Sequence, residues 1–253
     1  MWNITSFAEL PSTQSLARER FASGDARHGD VFVALHQTGG RGRYRERVWH
    51  DEAGSNLLMS IVLTEIPLHL YDKIQLLSAL SILATIRSLL SREIRDFSPE
   101  RVQLKWPNDV LLDGKKVAGV LCDGIWSGEN FRGVVIGIGM NINQEYFEKE
   151  ITHRAIALKN VLKFSVPLDT ARDLLLATIQ FTLSHYTTAI QLISDIRTEL
   201  EWMRSIPEFK ISEPDGTKAD GLRYDGITDE GALRVIASDG TLRIYQNATL
   251  TFT

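Results

Sequence analysis

Two spacings of apolar residues divide the chain. Residues 4–10, 31–35 and 56–63 read as strands, and Val31-Phe32-Val33-Ala34-Leu35 is almost wholly apolar, as a strand covered on both faces should be. Pro11-Ser12-Thr13 ends the first strand and offers a hydroxyl to cap a helix over 14–22, which Gly24-Asp25 closes. Ile74, Leu77, Leu80, Leu83, Ala84 and Leu90 recur at intervals of three and four and predict a long helix over 71–94 packed against a sheet. Strands follow at 101–106, 110–113, 116–122 and 131–138, with Asp113-Gly114 as a hairpin turn. Residues 168–204 are helix-rich, with Leu174, Leu175, Ile179 and Leu183 on an apolar face. From about 210 short strands are separated by Asp215-Gly216, Asp229-Glu230-Gly231 and Ser238-Asp239-Gly240, and predict a small antiparallel barrel.

Hairpin-linked strands rule out a simple parallel βαβ architecture. The expected class is α+β: a mixed sheet backed by helices over 1–207, then a small barrel domain over 208–253. With 43% apolar and 24% charged residues the chain reads as an ordinary soluble protein, and its net charge of −4 gives no general platform for nucleic acid. Phosphate chemistry therefore needs a local basic site. The one cysteine, Cys122, excludes an internal disulfide and reads as a buried, inert thiol. No secretory signal is evident at the N-terminus, and Ser78, Ser81 and Arg87 interrupt the most apolar stretch, so a cytoplasmic protein without a membrane span is expected.

Candidate chemistry gathers in four segments. Gln37-Thr38-Gly39-Gly40-Arg41-Gly42-Arg43-Tyr44-Arg45-Glu46-Arg47 combines glycines that permit close backbone approach with guanidinium forks suited to phosphate and carboxylate oxygens. It lacks the Lys-Ser/Thr of a P-loop, and a solvated basic loop is the ordinary alternative. In Lys105-Trp106-Pro107-Asn108-Asp109, Trp106 can anchor a strand end while Asp109 offers oxygens to Mg²⁺ and Asn108 a donor and an acceptor to a nucleotide; a purely structural turn is the alternative. Lys116 follows the Asp113-Gly114 turn, and if Val117 faces the core, alternation turns Lys116 toward a ligand rather than into the protein. Ile136-Gly137-Ile138-Gly139-Met140-Asn141-Ile142-Asn143 lets a flat ligand near its backbone at Gly137 and Gly139, with Asn141 as a polar contact, or makes a glycine bulge. The six histidines form no metal-ligand series, and no GxSxG element supports a serine hydrolase.

In order and spacing these segments, with Pro11-Ser12-Thr13-Gln14 before them and Gly226-Ile227-Thr228-Asp229-Glu230-Gly231-Ala232-Leu233 after, resemble the biotin-protein ligase family. The resemblance covers nearly the whole chain. It implies a catalytic domain related to class II aminoacyl-tRNA synthetases and lipoate ligases, followed by an SH3-like barrel. It also implies ATP and Mg²⁺ as cofactors, biotin as substrate, and a lysine of a biotin carboxyl carrier domain as acceptor. By the same resemblance Arg41, Arg43, Lys116 and, less centrally, Lys105 are catalytic, and Asn108, Asp109 and Asn141 attend the nucleotide with Asp109 toward Mg²⁺. Ser12, Thr13, Gln37, Gly40, Gly42, Gly119, Gly137 and Ile138 shape the biotin site. The resemblance begins within the first dozen residues, so a preceding DNA-binding domain and direct DNA binding are not expected; a homodimer through an exposed sheet edge is possible.

Two departures stand out. Gln14 replaces the family's asparagine, and GRGRxGRxW becomes Gly40-Arg41-Gly42-Arg43-Tyr44-Arg45-Glu46-Arg47-Val48-Trp49, one residue longer and without its third glycine. The changed loop predicts weaker closure over the acyl-adenylate. Ligation of lipoate or another acid by the same chemistry, and a non-catalytic biotin-binding module, are the alternative functions.

Overall fold

The computed structural model describes residues 1–43 and 48–252. Strands β1 (Asn3–Leu10), β2 (Asp30–Gln37), β3 (Asn56–Leu63), β4 (Val102–Lys105), β5 (Asp109–Leu112), β6 (Lys115–Ser127) and β7 (Asn130–Asn141) form one sheet in the order β1-β2-β3-β7-β6-β5-β4. β1 and β2 run parallel; the other neighbours are antiparallel. This is the mixed sheet that the hairpin-like spacing predicts. The Asp113-Gly114 turn joins β5 to β6 with φ of 51° and 75°, the left-handed pair that a tight hairpin requires.

Side-chain alternation gives the central strands two different faces. Met59, Ile61 and Leu63 of β3, Val120 of β6 and Ile136 and Ile138 of β7 point into the main core. There they meet α2 (Ile74–Glu93), which in turn packs on α4 (Leu168–His185) and α5 (Ala189–Leu200). By length and composition Tyr71–Glu93 could cross a membrane, but 72% of its most apolar window is buried here. Its apolarity is thus accounted for by packing against sheet and helices. The other face is covered by α1 (Thr13–Ser23), whose Ala17 meets Phe32, Val62 and Val135 of the sheet in a small cluster. Next to that cluster the same face carries Ser60, Gly119, Asp123, Gly137 and Gly139, residues too small or too polar to make a second large core, with Leu121 the one large apolar side chain among them.

The C-terminal barrel expected from the sequence does not form. Strands β8 (Phe209–Ser212), β9 (Lys218–Ile227), β10 (Leu233–Ile236), β11 (Leu242–Tyr245) and β12 (Thr249–Phe252) make an open antiparallel sheet, β11-β10-β9-β8-β12, whose two edge strands do not pair with each other among the described residues. Closure needs strands long enough to carry tilt and stagger around a ring, and four of these five have only four residues. Only β9 is long enough to bridge both halves. Phe209, Leu222 and Leu233 join the main core. Trp106 is 2% exposed, as its expected anchoring role demands, and its indole N–H donates to the Gly231 carbonyl at 2.9 Å. Trp202 reaches the opposite way, donating to the Leu104 carbonyl at 2.9 Å.

Candidate active site

The weakly filled face of the sheet opens, beyond the first turn of α1, into a cleft of about 520 Å³ including its mouth. Ser12 caps α1, accepting from the Ser15 amide at 3.4 Å, and so Thr13 and Gln14 project from the helix start over β3 and β7. Thr13 donates through both its amide and its hydroxyl to Gln37 Oε1, at 2.7 and 3.1 Å. Ser60 Oγ lies 2.9 Å from Thr13 Oγ1 and 3.0 Å from Gln14 Oε1. Ser60 and Thr13 are 0% and 3% exposed and Gln14 and Gln37 are half-buried, so these hydroxyls and carboxamides form the inner, more buried end of the cleft.

Cations gather at the other end. Arg41, Arg43 and Lys116 line the cleft with Asn108. Arg41 and Val48 bridge the base of the glycine-arginine loop, and the Trp49 amide donates to the Gly40 carbonyl at 3.0 Å. Arg43 donates to the Ala248 carbonyl, which ties the loop to the turn before β12. Residues 44–47 lie outside the described residues, and with them the expectation of weaker loop closure. Asn108 pairs with Val120, its side chain donating to the carbonyl at 2.7 Å and its own carbonyl accepting from the amide at 2.9 Å.

Val117 is fully buried and Lys116 turns to the cleft, where its Nζ lies 2.6 Å from Asp109 Oδ1 and 5.5 Å from the centre of the Trp49 ring. Burial opposes ionisation of Asp109, but the charges of Lys116, Lys105 and Arg43 outweigh it and hold the carboxyl below the ordinary aspartate range. A carboxyl lowered on folding stabilises the fold above its unfolded value, and that contribution is lost as pH falls below about 4 through the folded value. Asp109→Asn should therefore unfold more readily than the parent at neutral pH, with the gap closing as pH falls below about 4. Thermal melts across that range check this; a pH-independent gap would assign the loss to packing.

The structure brings Ser12, Thr13, Gln37, Arg41, Gly42, Arg43, Asn108, Lys116, Gly119, Gly137 and Ile138 to one cleft. Ile138 contributes backbone there, since its side chain is 3% exposed in the main core. Gly40 is buried beneath Trp49, and Asp109 stands behind Lys116. Lys105 pairs with Asp109 across the β4–β5 ladder and lies 4.8 Å over the Phe252 ring. Asn141 lies apart, its side chain donating to the Ile156 carbonyl at 3.2 Å. Cys122 is half-buried on the core side of β6, where burial pushes its thiol up. Ser60, Val120 and Leu121 line the cleft without having been singled out in the sequence, and Gln14 and Trp49 figured there only within motifs. Ser60 did carry a signal: it is the one hydroxyl in Leu57-Leu58-Met59-Ser60-Ile61-Val62-Leu63.

A polar inner end and a cationic mouth on a mixed sheet can hold a ligand with a hydrogen-bonding head and an anionic end. The chain belongs to the biotin/lipoate A/B protein ligase family, whose sequence profile matches residues 6–141. It is 38% identical over 137 residues to the bifunctional ligase/repressor BirA of Bacillus subtilis, a match covering 54% of this chain and 39% of that protein. The chain thus spans about two-fifths of that relative's length. Over 229 residues it is 29% identical to a biotin–[acetyl-CoA-carboxylase] ligase of Mycobacterium tuberculosis, covering 89% and 80% of the two chains. A solved biotin protein ligase from Aquifex aeolicus in complex with biotin and ATP superposes with a TM-score of 0.79 at 25% identity, over 99% of each chain.

Proposed function

We propose that this chain is an ATP-dependent biotin-protein ligase that forms biotinyl-5′-AMP and transfers the biotinyl group to a lysine of a biotin carboxyl carrier domain. The observation that carries this reading is the cleft's polarity. Its buried end is a cluster of hydroxyl and carboxamide groups, and its mouth holds Arg41, Arg43 and Lys116. Biotin has a cyclic urea at one end and a carboxylate at the other, whereas the dithiolane of lipoate has no N–H or carbonyl to match such a cluster.

In the first step a biotin carboxylate oxygen attacks the α-phosphorus of ATP, the bond to the bridging oxygen breaks, and pyrophosphate leaves. Like charges oppose this approach, and Arg41, Arg43 and Lys116 would hold the two anions together and stabilise the charge that develops. Lys105 adds to that field through its place opposite Asp109. Among the described residues no cluster of three or more His, Cys, Asp or Glu could hold a metal alone. Mg²⁺ takes most of its ligands from phosphate and water; Asp109 would offer it the carboxylate oxygen that Lys116 does not hold, with Asn108 beside the nucleotide. Bound there, the ion supplies neutralising charge to the phosphates. In the second step the neutral amine of the carrier lysine attacks the acyl carbon and AMP leaves. Ser12, Thr13 and Gln37 would bind the ureido ring, with Gly119, Gly137 and the Ile138 backbone shaping its slot and Gly40 and Gly42 letting the arginine loop approach.

Arg43→Ala should release biotinyl-AMP about 10-fold faster or more, the loss of one charge-assisted hydrogen bond. Rapid filtration of preformed complex measures this, and unchanged release would return Arg43 to an ordinary surface role. Intact-mass analysis of a carrier domain incubated with the chain, ATP, Mg²⁺ and biotin tests the function as a whole. A biotin adduct that needs the carrier lysine is expected. A lipoate adduct instead would favour the other branch of the family, and failure to release pyrophosphate with either acid would leave a binding module.

A further inference from the structure

We infer that Asp123, behind the buried end of the cleft, is a positioning residue: it fixes the orientation of the Gln14 carboxamide and so sets the cluster to accept N–H groups from the ligand. The inference rests on the biotin reading above and concerns a residue that does not line the cleft. Asp123 stands on β6 across from Val135 of β7, on the sheet face that carries Gly119 and Leu121. Gln14 Nε2 donates to Asp123 Oδ2 at 3.0 Å and to the Val135 carbonyl at 3.1 Å. Both amide protons are thereby used. A reversed carboxamide would set its oxygen against two oxygens, one of them charged, so Oε1 is directed to Ser60.

The hydroxyls then have a determined polarity. Gln37 Oε1 can only accept, so the Thr13 hydroxyl proton goes to it. Ser60 has one proton, and two acceptors stand within reach: Thr13 Oγ1 at 2.9 Å and Gln14 Oε1 at 3.0 Å. The cluster is short of donors by one, at the inner end of the cleft, where a ligand that displaced water would meet an acceptor still to be matched. A ligand N–H supplies what is missing, and a cyclic urea carries two. Gly137 makes the arrangement possible, because a Cβ there would lie 2.5 Å from Gln14 Oε1. Arg18 also approaches Asp123, at 3.4 Å, but is 57% exposed and adds little. What matters at position 123 is an acceptor oxygen aimed at Gln14, more than its charge.

The test compares Asp123→Asn, which keeps an acceptor oxygen, with Asp123→Leu, which has none. Biotin binding to the full chain without ATP is measured by calorimetry, beside steady-state kinetics for both substrates. Asp123→Leu should weaken biotin binding and raise the biotin KM by about 10-fold or more, with kcat and the ATP KM within about twofold, while Asp123→Asn stays within about threefold of the parent. If Asp123→Leu does not fold, Gln14→Leu is read by the same measurements and the same split is expected. Unchanged biotin binding in the leucine variants, or an asparagine variant as weak as Asp123→Leu, overturns the inference alone. A parent chain that binds no biotin overturns the functional reading and this inference together.

Discussion

Replacing Lys116 by alanine is expected to slow biotin-dependent exchange of pyrophosphate into ATP by roughly 10²–10³-fold, the usual cost of removing one fixed charge from the developing charge of a transition state. Lys116 is placed for that role by strand alternation opposite a fully buried Val117, and its ammonium is held between Asp109 Oδ1 at 2.6 Å and the Trp49 ring at 5.5 Å. The fold should persist, because Lys105 and Arg43 still favour the Asp109 carboxylate. Thermal melts alongside the exchange assay separate the two effects. Lys116→Arg should recover only part of the rate, since a planar guanidinium does not reproduce a compact ammonium at the same point. An alanine variant that is folded and exchanges at the parent rate would leave Lys116 as no more than the partner of Asp109.

The residues legible in the sequence are those whose signal is local. Alternation and turn chemistry gave the strands around Asp113-Gly114, and three-four periodicity gave α2, with 71–73 entering as a 3₁₀ turn before the α-helix proper. The region 168–204 resolves into two α-helices and a 3₁₀ turn. Closure of the C-terminal sheet was not legible: turns at Asp215-Gly216 and Ser238-Asp239-Gly240 specify hairpins, whereas a barrel depends on whether two edge strands far apart in sequence meet. The glycines of Ile136-Gly137-Ile138-Gly139 proved to belong to a continuous strand, β7, in which Ile138 turns to the core and the glycines to the cleft. The partners of Gln14 were the least accessible, since Ser60 and Asp123 are 46 and 109 positions away and nothing local links them. A lone serine or aspartate in an otherwise apolar strand marks such a residue without saying what it meets.

Gly139→Ala is expected to weaken biotin binding by about 10-fold or more, by displacing Trp49. A Cβ at Gly139 would lie 2.6 Å from two carbons of the Trp49 indole, closer than real contacts allow, so the ring must leave the strand. It cannot carry its backbone along without breaking the bond from its amide to the Gly40 carbonyl at 3.0 Å, so the side chain must swing instead. That uncovers one wall of the cleft and removes the surface beneath the Lys116 ammonium. If the effect passes through the indole, the two sites are coupled, and Gly139→Ala should add little once Trp49 is alanine. A double-mutant cycle on biotin affinity decides it. Additive losses would show that the methyl group acts on the ligand directly, making the bare Gly139 backbone a wall of the slot, with Trp49 a separate lid over it.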